Sequence, residues 1–244
     1  MKQGLGRPLI VALDFDRLAP ASDVARRLAD LVGMFKVGSS LFTAEGPSAV
    51  NSLARLGPGI FLDLKFYDIP NTVAGAVSAA ATLPGVRLMT VHALGGVEMM
   101  RAAKKVLSGC AASRRPKLLA VTLLTSLDAA EMRRVGLSGQ PEAQALKLAL
   151  LARKAGLDGV VASAHEARRI RRACGPRFVI VVPGVRPAAR AARDDQARVA
   201  TPAKAIRAGA DYIVVGRPIT AATDPRAAAL AIVEEMAQAQ RRRI

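Results

Sequence analysis

Two carboxylates and one ammonium group fall within six residues of this chain, at Asp63, Lys65 and Asp68. They follow the apolar residues 59–62, which predict a buried β-strand. Side chains alternate between the two faces of a strand, so Asp63 and Lys65 should emerge on the same side. Asp68 should lie beyond the strand, in a loop that Pro70 stiffens. Because an unpaired charge in a buried strand costs several kcal/mol, this charged block is a candidate reaction centre.

A second lysine is expected to join the block. Lys36 lies within the otherwise apolar residues 34–38, and a buried lysine is rare unless it has a partner. Placed beside the block, it would form an alternating Lys-Asp-Lys-Asp array in which each charge adjoins opposite ones. Such an array keeps both ammonium groups charged in a partly dry site. The alternative is a lysine at a strand end that only extends its amine to solvent.

Eight short apolar runs with strand character recur along the chain, and each is followed by a segment with helical spacing. Continuous hydrophobicity is typical of parallel strands that are buried on both faces. This alternation predicts the α/β class and a (β/α)8 TIM barrel, as a single domain over residues 1–244. A doubly wound open sheet is the main competing fold. The predicted strands are 9–14, 34–38, 60–65, 87–92, 117–124, 159–163, 178–183 and 212–216.

In a barrel of this kind the active site lies at the carboxyl ends of the strands. The polar residues that close the apolar runs should therefore converge on one rim. Backbone N–H groups near Gly216 and the guanidinium of Arg217 suit a phosphate dianion. A related Gly-x-Arg-Pro at 184–187 follows the preceding strand and should lie opposite them. Residues 188–202 between these loops are either a lid or a plain surface loop. The expected rim residues are Asp14, Lys36, Asp63, Lys65, His92, Thr125, Ser126, Ser163, Arg186 and Arg217.

Composition narrows the function classes. The hydrophobic fraction of 51% suffices for a large core, and no apolar run is long enough to span a bilayer, so we expect a cytoplasmic protein without a membrane partner. Cys110 and Cys174 fit neither a disulfide framework nor a zinc motif. We find no metal-ligand spacing and no Gly-x-Gly-x-x-Gly, and we expect no metal and no cofactor.

The net charge of +17 raises the possibility of nucleic-acid binding, which needs clustered basic residues interleaved with aromatic ones. Aromatic residues make up only 3%, and the arginines are scattered. Most of them, including Arg168-Arg169 and Arg171-Arg172, are predicted on solvated helix faces. We therefore expect no nucleic-acid partner. A positive field can instead speed the capture of an anionic small molecule.

Several segments together resemble the orotidine 5′-phosphate decarboxylase family, and the resemblance covers nearly the whole chain. It implies a TIM barrel that decarboxylates orotidine 5′-phosphate to uridine 5′-phosphate in pyrimidine biosynthesis without a cofactor. The charged block and the closing Gly-Arg-Pro-Ile-Thr are the most specific parts. The matching segments are 11–14, 36–38, 63–72, 124–126, 183–187, 195–196 and 210–220.

The resemblance implies a role for each matching residue. Lys65 would donate a proton to C6 of the pyrimidine, with Lys36, Asp63 and Asp68 completing the charged array. Family members are dimers in which the last aspartate crosses the interface, so Asp68 would serve the partner's site. The implied substrate contacts are Asp14 and Lys36 to ribose hydroxyls, Thr125 and Ser126 near the base, Arg186, Gln196, Gly216 and Arg217 to the phosphate, and Ile69 and Thr72 toward the partner.

The sequence departs from the family pattern at two places. Tyr67 stands where many relatives have histidine, and the segment after Pro187 is rich in alanine and arginine where a glycine and a more polar lid are expected. Two rival functions stay open. One is a Mg²⁺-dependent sugar-phosphate decarboxylase or synthase of the same suprafamily, against which residues 69–72 and the Arg186/Gln196 pair argue. The other is a basic nucleic-acid-binding protein.

Overall fold

Eight parallel strands close into a barrel in chain order, with β8 paired to β1, in a computed structural model that describes residues 7–186 and 200–241. The predicted barrel is confirmed, and the open sheet is excluded because both of its edges are paired. The predicted strand positions hold, with ends that differ by a few residues. The strands are β1 Leu9–Ala12, β2 Met34–Gly38, β3 Gly59–Phe66, β4 Val86–His92, β5 Lys117–Val121, β6 Gly159–Val161, β7 Val179–Val182 and β8 Tyr212–Val215.

Helices connect the strands and cover the outside of the barrel. Ser163 and Glu166 form a capping box at the start of α8, and Asp224 accepts the N–H groups of Arg226 and Ala227 at the start of α11. In the described part of the chain, no helix has both the length and the apolarity to cross a membrane. The helices are α1 Leu18–Leu28, α2 Ser39–Glu45, α3 Pro47–Ala54, α4 Pro70–Ala80, α5 Gly96–Val106, α6 Ala129–Arg134, α7 Pro141–Lys154, α8 Ala164–Cys174, α9 Pro202–Ala208, α10 Arg217–Thr220 and α11 Pro225–Arg241.

Alternation along the strands divides the core into two layers. Outward side chains pack beneath the helices, and inward ones fill the barrel with a separate apolar cluster that includes Ile10, Ala12 and Phe61. Because inward positions recur every second residue, the next inward position after Ala12 is Asp14, and the next after Phe61 is Asp63. The alternation of inward and outward residues therefore fills the barrel with apolar side chains and places polar side chains at its carboxyl rim.

A buried ion pair joins helix and sheet at the opposite, amino-terminal end of the strands. The guanidinium of Arg171 on α8 donates to the carboxylate of Asp211 at 2.5 Å and to the carbonyl of Gly209 at 2.9 Å. Asp211 also accepts the N–H of Ile180 on β7 at 2.9 Å. The side chains of Arg171 and Asp211 are only 15% and 10% exposed. The prediction of a solvated helix face is therefore wrong for Arg171, which links α8 to β7 and to the start of β8.

We predict that Arg171→Leu lowers the free energy of unfolding by about 3–5 kcal/mol, because it leaves the buried carboxylate of Asp211 without its cation. Chemical denaturation measures this loss. The matched control is Arg169→Leu, an exposed arginine on the same helix, which should change the unfolding free energy little. Equal effects of the two substitutions would contradict the assignment of a stabilising role to the Arg171 network.

Candidate active site at the carboxyl rim of the barrel

A cavity of about 1110 Å³ opens at the carboxyl ends of the strands. Its wall contains seven of the residues that the sequence predicted for the rim or the ligand site: Asp14, Lys36, Thr125, Ser163, Arg186, Gly216 and Arg217. A second cavity of about 200 Å³ shares Lys36 and Thr125 with the first and adds Asp63 and Lys65. Ser126 lies in the same turn as Thr125 but lines neither cavity. The predicted convergence on one rim is thus present for most of these residues.

Four charged side chains form a continuous row at the junction of the two cavities. The ammonium of Lys36 donates to Asp14 Oδ1 at 2.7 Å and lies 3.8 Å from Asp63 Oδ2. The ammonium of Lys65 donates to the same Asp63 Oδ2 at 2.8 Å. Lys36 and Asp63 are about 10% exposed, whereas the side chain of Lys65 is 36% exposed. Lys36, Asp63 and Lys65 of the predicted array therefore adjoin opposite charges, and the aspartate that completes the row within this chain is Asp14 rather than Asp68.

Gly38 makes room for this row, a role that the sequence analysis did not assign. A Cβ atom at Gly38 would lie 2.7 Å from the Lys36 ammonium and 3.0 Å from Asp14 Oδ1. Its φ of −99° is one that any residue adopts, so the constraint is space rather than backbone conformation. The available signal was the position of Gly38 on β2, two residues after Lys36 and hence on the same inward face.

The backbone of β3 is irregular where the row is formed. Leu62 pairs with Met89 and Phe66 pairs with Val91, so residues 63–65 of β3 lie opposite the single residue Thr90 of β4. Within this bulge Lys65 has a φ of 51°, the only positive φ among the described residues other than glycine. A left-handed conformation at a lysine is disfavoured. Strain of this kind often marks a functional site.

Asp68, Ile69 and Thr72 line neither of the two cavities of their own chain. All three are exposed, and Asp68 Oδ1 accepts the N–H of the adjacent Ile69 at 2.6 Å. Among the described residues Asp68 makes no ion pair with the row of four. Tyr67 and Ile69, on either side of it, are 61% and 67% exposed, which is unusual for large apolar side chains. The loop after β3 thus presents one carboxylate within an apolar patch, the loop patch of residues 67–69.

The two glycine-arginine loops lie where the sequence predicted a phosphate site. Arg186 follows β7, and its backbone N–H donates to the carbonyl of Ala200 at 3.1 Å. Gly216 follows β8 and precedes the short helix α10, whose first residue is Arg217. Both arginines line the larger cavity. Gln196 and the predicted lid up to residue 199 lie outside the described residues.

His92 ends β4 beside the row. Its Nδ1 accepts the N–H of Leu94 at 3.3 Å, and its ring centroid lies 5.5 Å from that of Tyr67. His92 is thus a hydrogen-bonding residue at a strand end, and it lines neither cavity. Burial lowers the pKa of His92, and the nearby cation of Lys65 lowers it further. His92 therefore stays neutral near pH 7 and adds no third cation. In the part of the chain that the structure describes, no group of His, Cys, Asp or Glu is arranged to hold a metal ion.

We predict that Gly38→Ala displaces the Lys36 ammonium, because the added methyl would occupy its present position. A crystal structure should show the distance from Lys36 Nζ to Asp14 Oδ1 increasing beyond about 3.5 Å, the limit of a hydrogen bond. Thermal stability should change little, since only the end of a flexible side chain must move. The matched control is Gly75→Ala on α4, where a Cβ meets no atom within 4 Å. An unchanged ion pair in Gly38→Ala would contradict the prediction.

Comparison with known proteins gives one consistent family. Residues 7–232 match the family model described as "Orotidine 5'-phosphate decarboxylase / HUMPS family". The curated orotidine 5′-phosphate decarboxylase of Anaeromyxobacter dehalogenans is 57% identical over 92% of this chain and 96% of its own length. That of Moorella thermoacetica is 55% identical over 93% and 91%.

Solved structures agree with these matches. The crystal structure of orotidine 5′-phosphate decarboxylase from Lactobacillus acidophilus has a TM-score of 0.79 and 41% identity, covering 95% of this chain and 99% of that one. An uncharacterized conserved protein from Geobacillus kaustophilus has a TM-score of 0.81 and 39% identity, covering 94% and 100%.

Proposed function

This chain belongs to the orotidine 5′-phosphate decarboxylase / HUMPS family, and on that premise we propose that its row of four charges carries out the reaction. The enzyme is a carboxy-lyase that converts orotidine 5′-phosphate to uridine 5′-phosphate in pyrimidine biosynthesis. The single observation that carries the proposal is the position of Lys65, whose ammonium lies 2.8 Å from Asp63 Oδ2 and whose side chain is 36% exposed and lines the smaller cavity.

The chemical problem is the electron pair that remains at C6 when CO₂ leaves. We propose that the fixed ammonium of Lys65 stabilises this developing negative charge and then donates its proton to C6. The C6–CO₂ bond breaks, the C6–H bond forms, and neutral Lys65 regains a proton from solvent. The charge of Lys65 is supported from behind by Asp63, which leaves the exposed side of the ammonium for the substrate.

Asp63 has a second proposed effect, on the ground state. Its carboxylate is only 10% exposed and would lie beside the carboxylate of the bound substrate. Two neighbouring anions raise the energy of the bound substrate, and this repulsion disappears as CO₂ departs. Lys36 bridges Asp14 and Asp63, so the row remains close to neutral before substrate enters.

The remaining rim residues suit a nucleotide. We propose that Asp14 and Lys36 hold the ribose hydroxyls, and that Thr125, with Ser126, lies beside the base. The phosphate would be held by the two arginine loops, through Arg186, Gln196, Gly216 and Arg217. The phosphate contacts would be remote from C6, so their binding energy would serve to fix the reacting carbon against Lys65.

We propose that the reaction needs no metal or other cofactor, in contrast to the Mg²⁺-dependent rival of the same suprafamily. The support is the state of the two carboxylates in the row, because Asp14 and Asp63 already pair with ammonium groups. Loss of the ultraviolet absorbance of orotidine 5′-phosphate should proceed at the same rate with and without EDTA. A rate that falls with EDTA and returns with Mg²⁺ would favour the rival reaction type.

We predict that Lys65→Ala lowers kcat by more than about 10²-fold, since it removes both the cation and the proton donor. Binding of uridine 5′-phosphate should remain measurable, because the phosphate contacts are untouched. Turnover followed by ultraviolet absorbance and binding followed by calorimetry test both statements. The matched control is Lys147→Ala, an exposed lysine on α7, which should behave as wild type. Turnover of Lys65→Ala near that of wild type would end the assignment of Lys65 as proton donor.

We further propose that the enzyme is a homodimer with shared sites, in which Asp68, Ile69 and Thr72 serve the partner's cavity. The support is the loop patch, whose exposed apolar side chains would be covered by a second copy while Asp68 reaches into it. We also propose that residues 1–244 form one domain and that the protein is cytoplasmic, where its two free cysteines would remain reduced.

Mixed dimers test the shared site. Lys65→Ala and Asp68→Ala chains, each nearly inactive alone, should recover about a quarter of the wild-type activity after random exchange of subunits, because half of the dimers then contain one intact site. Native mass spectrometry establishes that heterodimers form, and a sample in which Lys65→Ala is mixed with itself is the control. Heterodimers without recovered activity would count against the crossing of Asp68.

A further inference from the structure

Thr90 is a fully buried polar residue that touches the charged row. It lies on β4 at an inward position, two residues after Leu88 of the inner apolar cluster. Its exposed fraction is 0%, and none of the functions discussed so far uses it. Its hydroxyl donates to Asp63 Oδ1 at 2.9 Å and accepts the backbone N–H of Lys65, also at 2.9 Å.

The bulge explains why a hydroxyl is needed here. Residues 63–65 lie opposite Thr90 alone, so the regular pairing of β3 with β4 is interrupted between Leu62 and Phe66. Thr90 Oγ1 takes the place of a backbone carbonyl as the acceptor for the N–H of Lys65. A buried backbone N–H without such a partner is rare in folded proteins.

The two bonds of Thr90 act on the two partners of the central ion pair. One holds the backbone of Lys65 in its left-handed conformation, at a φ of 51°. The other fixes Asp63 Oδ1, which leaves Oδ2 facing the ammonium groups of Lys65 at 2.8 Å and Lys36 at 3.8 Å. Without the hydroxyl, the Asp63 carboxylate could rotate and the strained backbone of Lys65 could relax.

We propose that Thr90 is a positioning residue that sets the direction of the Lys65 ammonium through these two hydrogen bonds. The proposal rests on the proposed function, because it takes the row of charges as the reacting centre. Thr90 reaches that centre only through Asp63 and Lys65 and lines neither cavity. Its removal should therefore reduce the rate of the chemical step more than the binding of the nucleotide.

Two substitutions separate the hydroxyl from the shape of the side chain. Thr90→Val keeps the shape and removes both hydrogen bonds, and we expect it to lower kcat by about 10- to 100-fold while KM changes less than about threefold. Thr90→Ser keeps the hydroxyl and should retain kcat within about threefold. If Thr90→Val cannot be purified folded, Thr90→Cys replaces it, since a thiol is a weak donor and acceptor, and its kcat should fall below that of Thr90→Ser.

Thr122 provides the matched control. It is also fully buried, and its hydroxyl donates to the carbonyl of Val161 at 3.1 Å, a residue that is not part of the charged row. Thr122→Val should lower the melting temperature much as Thr90→Val does but leave kcat unchanged. A kcat of Thr90→Val equal to that of wild type, or an equal fall of kcat in Thr122→Val, would overturn the proposal.

A crystal structure of Thr90→Val distinguishes failure of this inference from failure of the proposed function. We expect either a Lys65 φ that leaves the positive region or a distance from Lys65 Nζ to Asp63 Oδ2 beyond about 3.5 Å. An unchanged geometry would overturn the role of Thr90 whatever the substrate is. A wild-type protein that does not consume orotidine 5′-phosphate would instead overturn the proposed function, and the crystal structure would still decide the role of Thr90.

Discussion

The rest of the site depends on the contacts of the Asp63 carboxylate with the ammonium groups of Lys36 and Lys65. Two lysines on neighbouring strands direct their ammonium groups toward the same space, and they would repel each other without an anion between them. Asp63 Oδ2 lies 2.8 Å from one ammonium and 3.8 Å from the other, in a position only 10% exposed. Charges this poorly solvated are tolerated only with close partners. The bulge in β3 and the space left at Gly38 both serve to keep these partners in place.

The two ends of the barrel have different roles: the amino ends of the strands contain a stabilising network, and the carboxyl ends contain the candidate reaction site. At the amino ends of the strands, Arg171 and Asp211 form a buried network that joins α8 to β7 and β8. Its groups are paired with one another and with the backbone, and they line neither of the two cavities at the rim. At the carboxyl ends the charged groups lie beside open space, and the backbone of Lys65 is strained. The fold can tolerate the strained backbone of Lys65 at the rim because the inner and outer apolar layers below it are continuous.

Three of the proposed site residues, Asp68, Ile69 and Thr72, lie on the exposed surface after β3. The loop patch presents Asp68 between the exposed Tyr67 and Ile69, while the cavity a few residues away contains Lys65. Because β3 ends in a bulge and is followed by a loop that Pro70 stiffens, residues close in sequence lie both at the cavity and on the outer surface. Asp63 and Lys65 stay with the barrel, whereas Asp68 lies on the exposed loop patch.

The sequence determined the fold and most of the site because both follow from local periodicity. Eight apolar runs alternating with helical segments predicted the barrel, and the polar residue at the end of each run predicted the rim. Periodicity places Gly38 on the same face as Lys36, but the roles of Thr90, Gly38 and Arg171 arise from contacts with neighbours distant along the chain, which the sequence does not reveal. Thr90 differs from any other strand threonine only because three residues of β3 lie opposite it. Gly38 matters because Lys36 and Asp14 meet above it. Strand register and side-chain packing are set by the closed barrel as a whole, so only the tertiary structure decided which of the predicted charges touch and what holds them there.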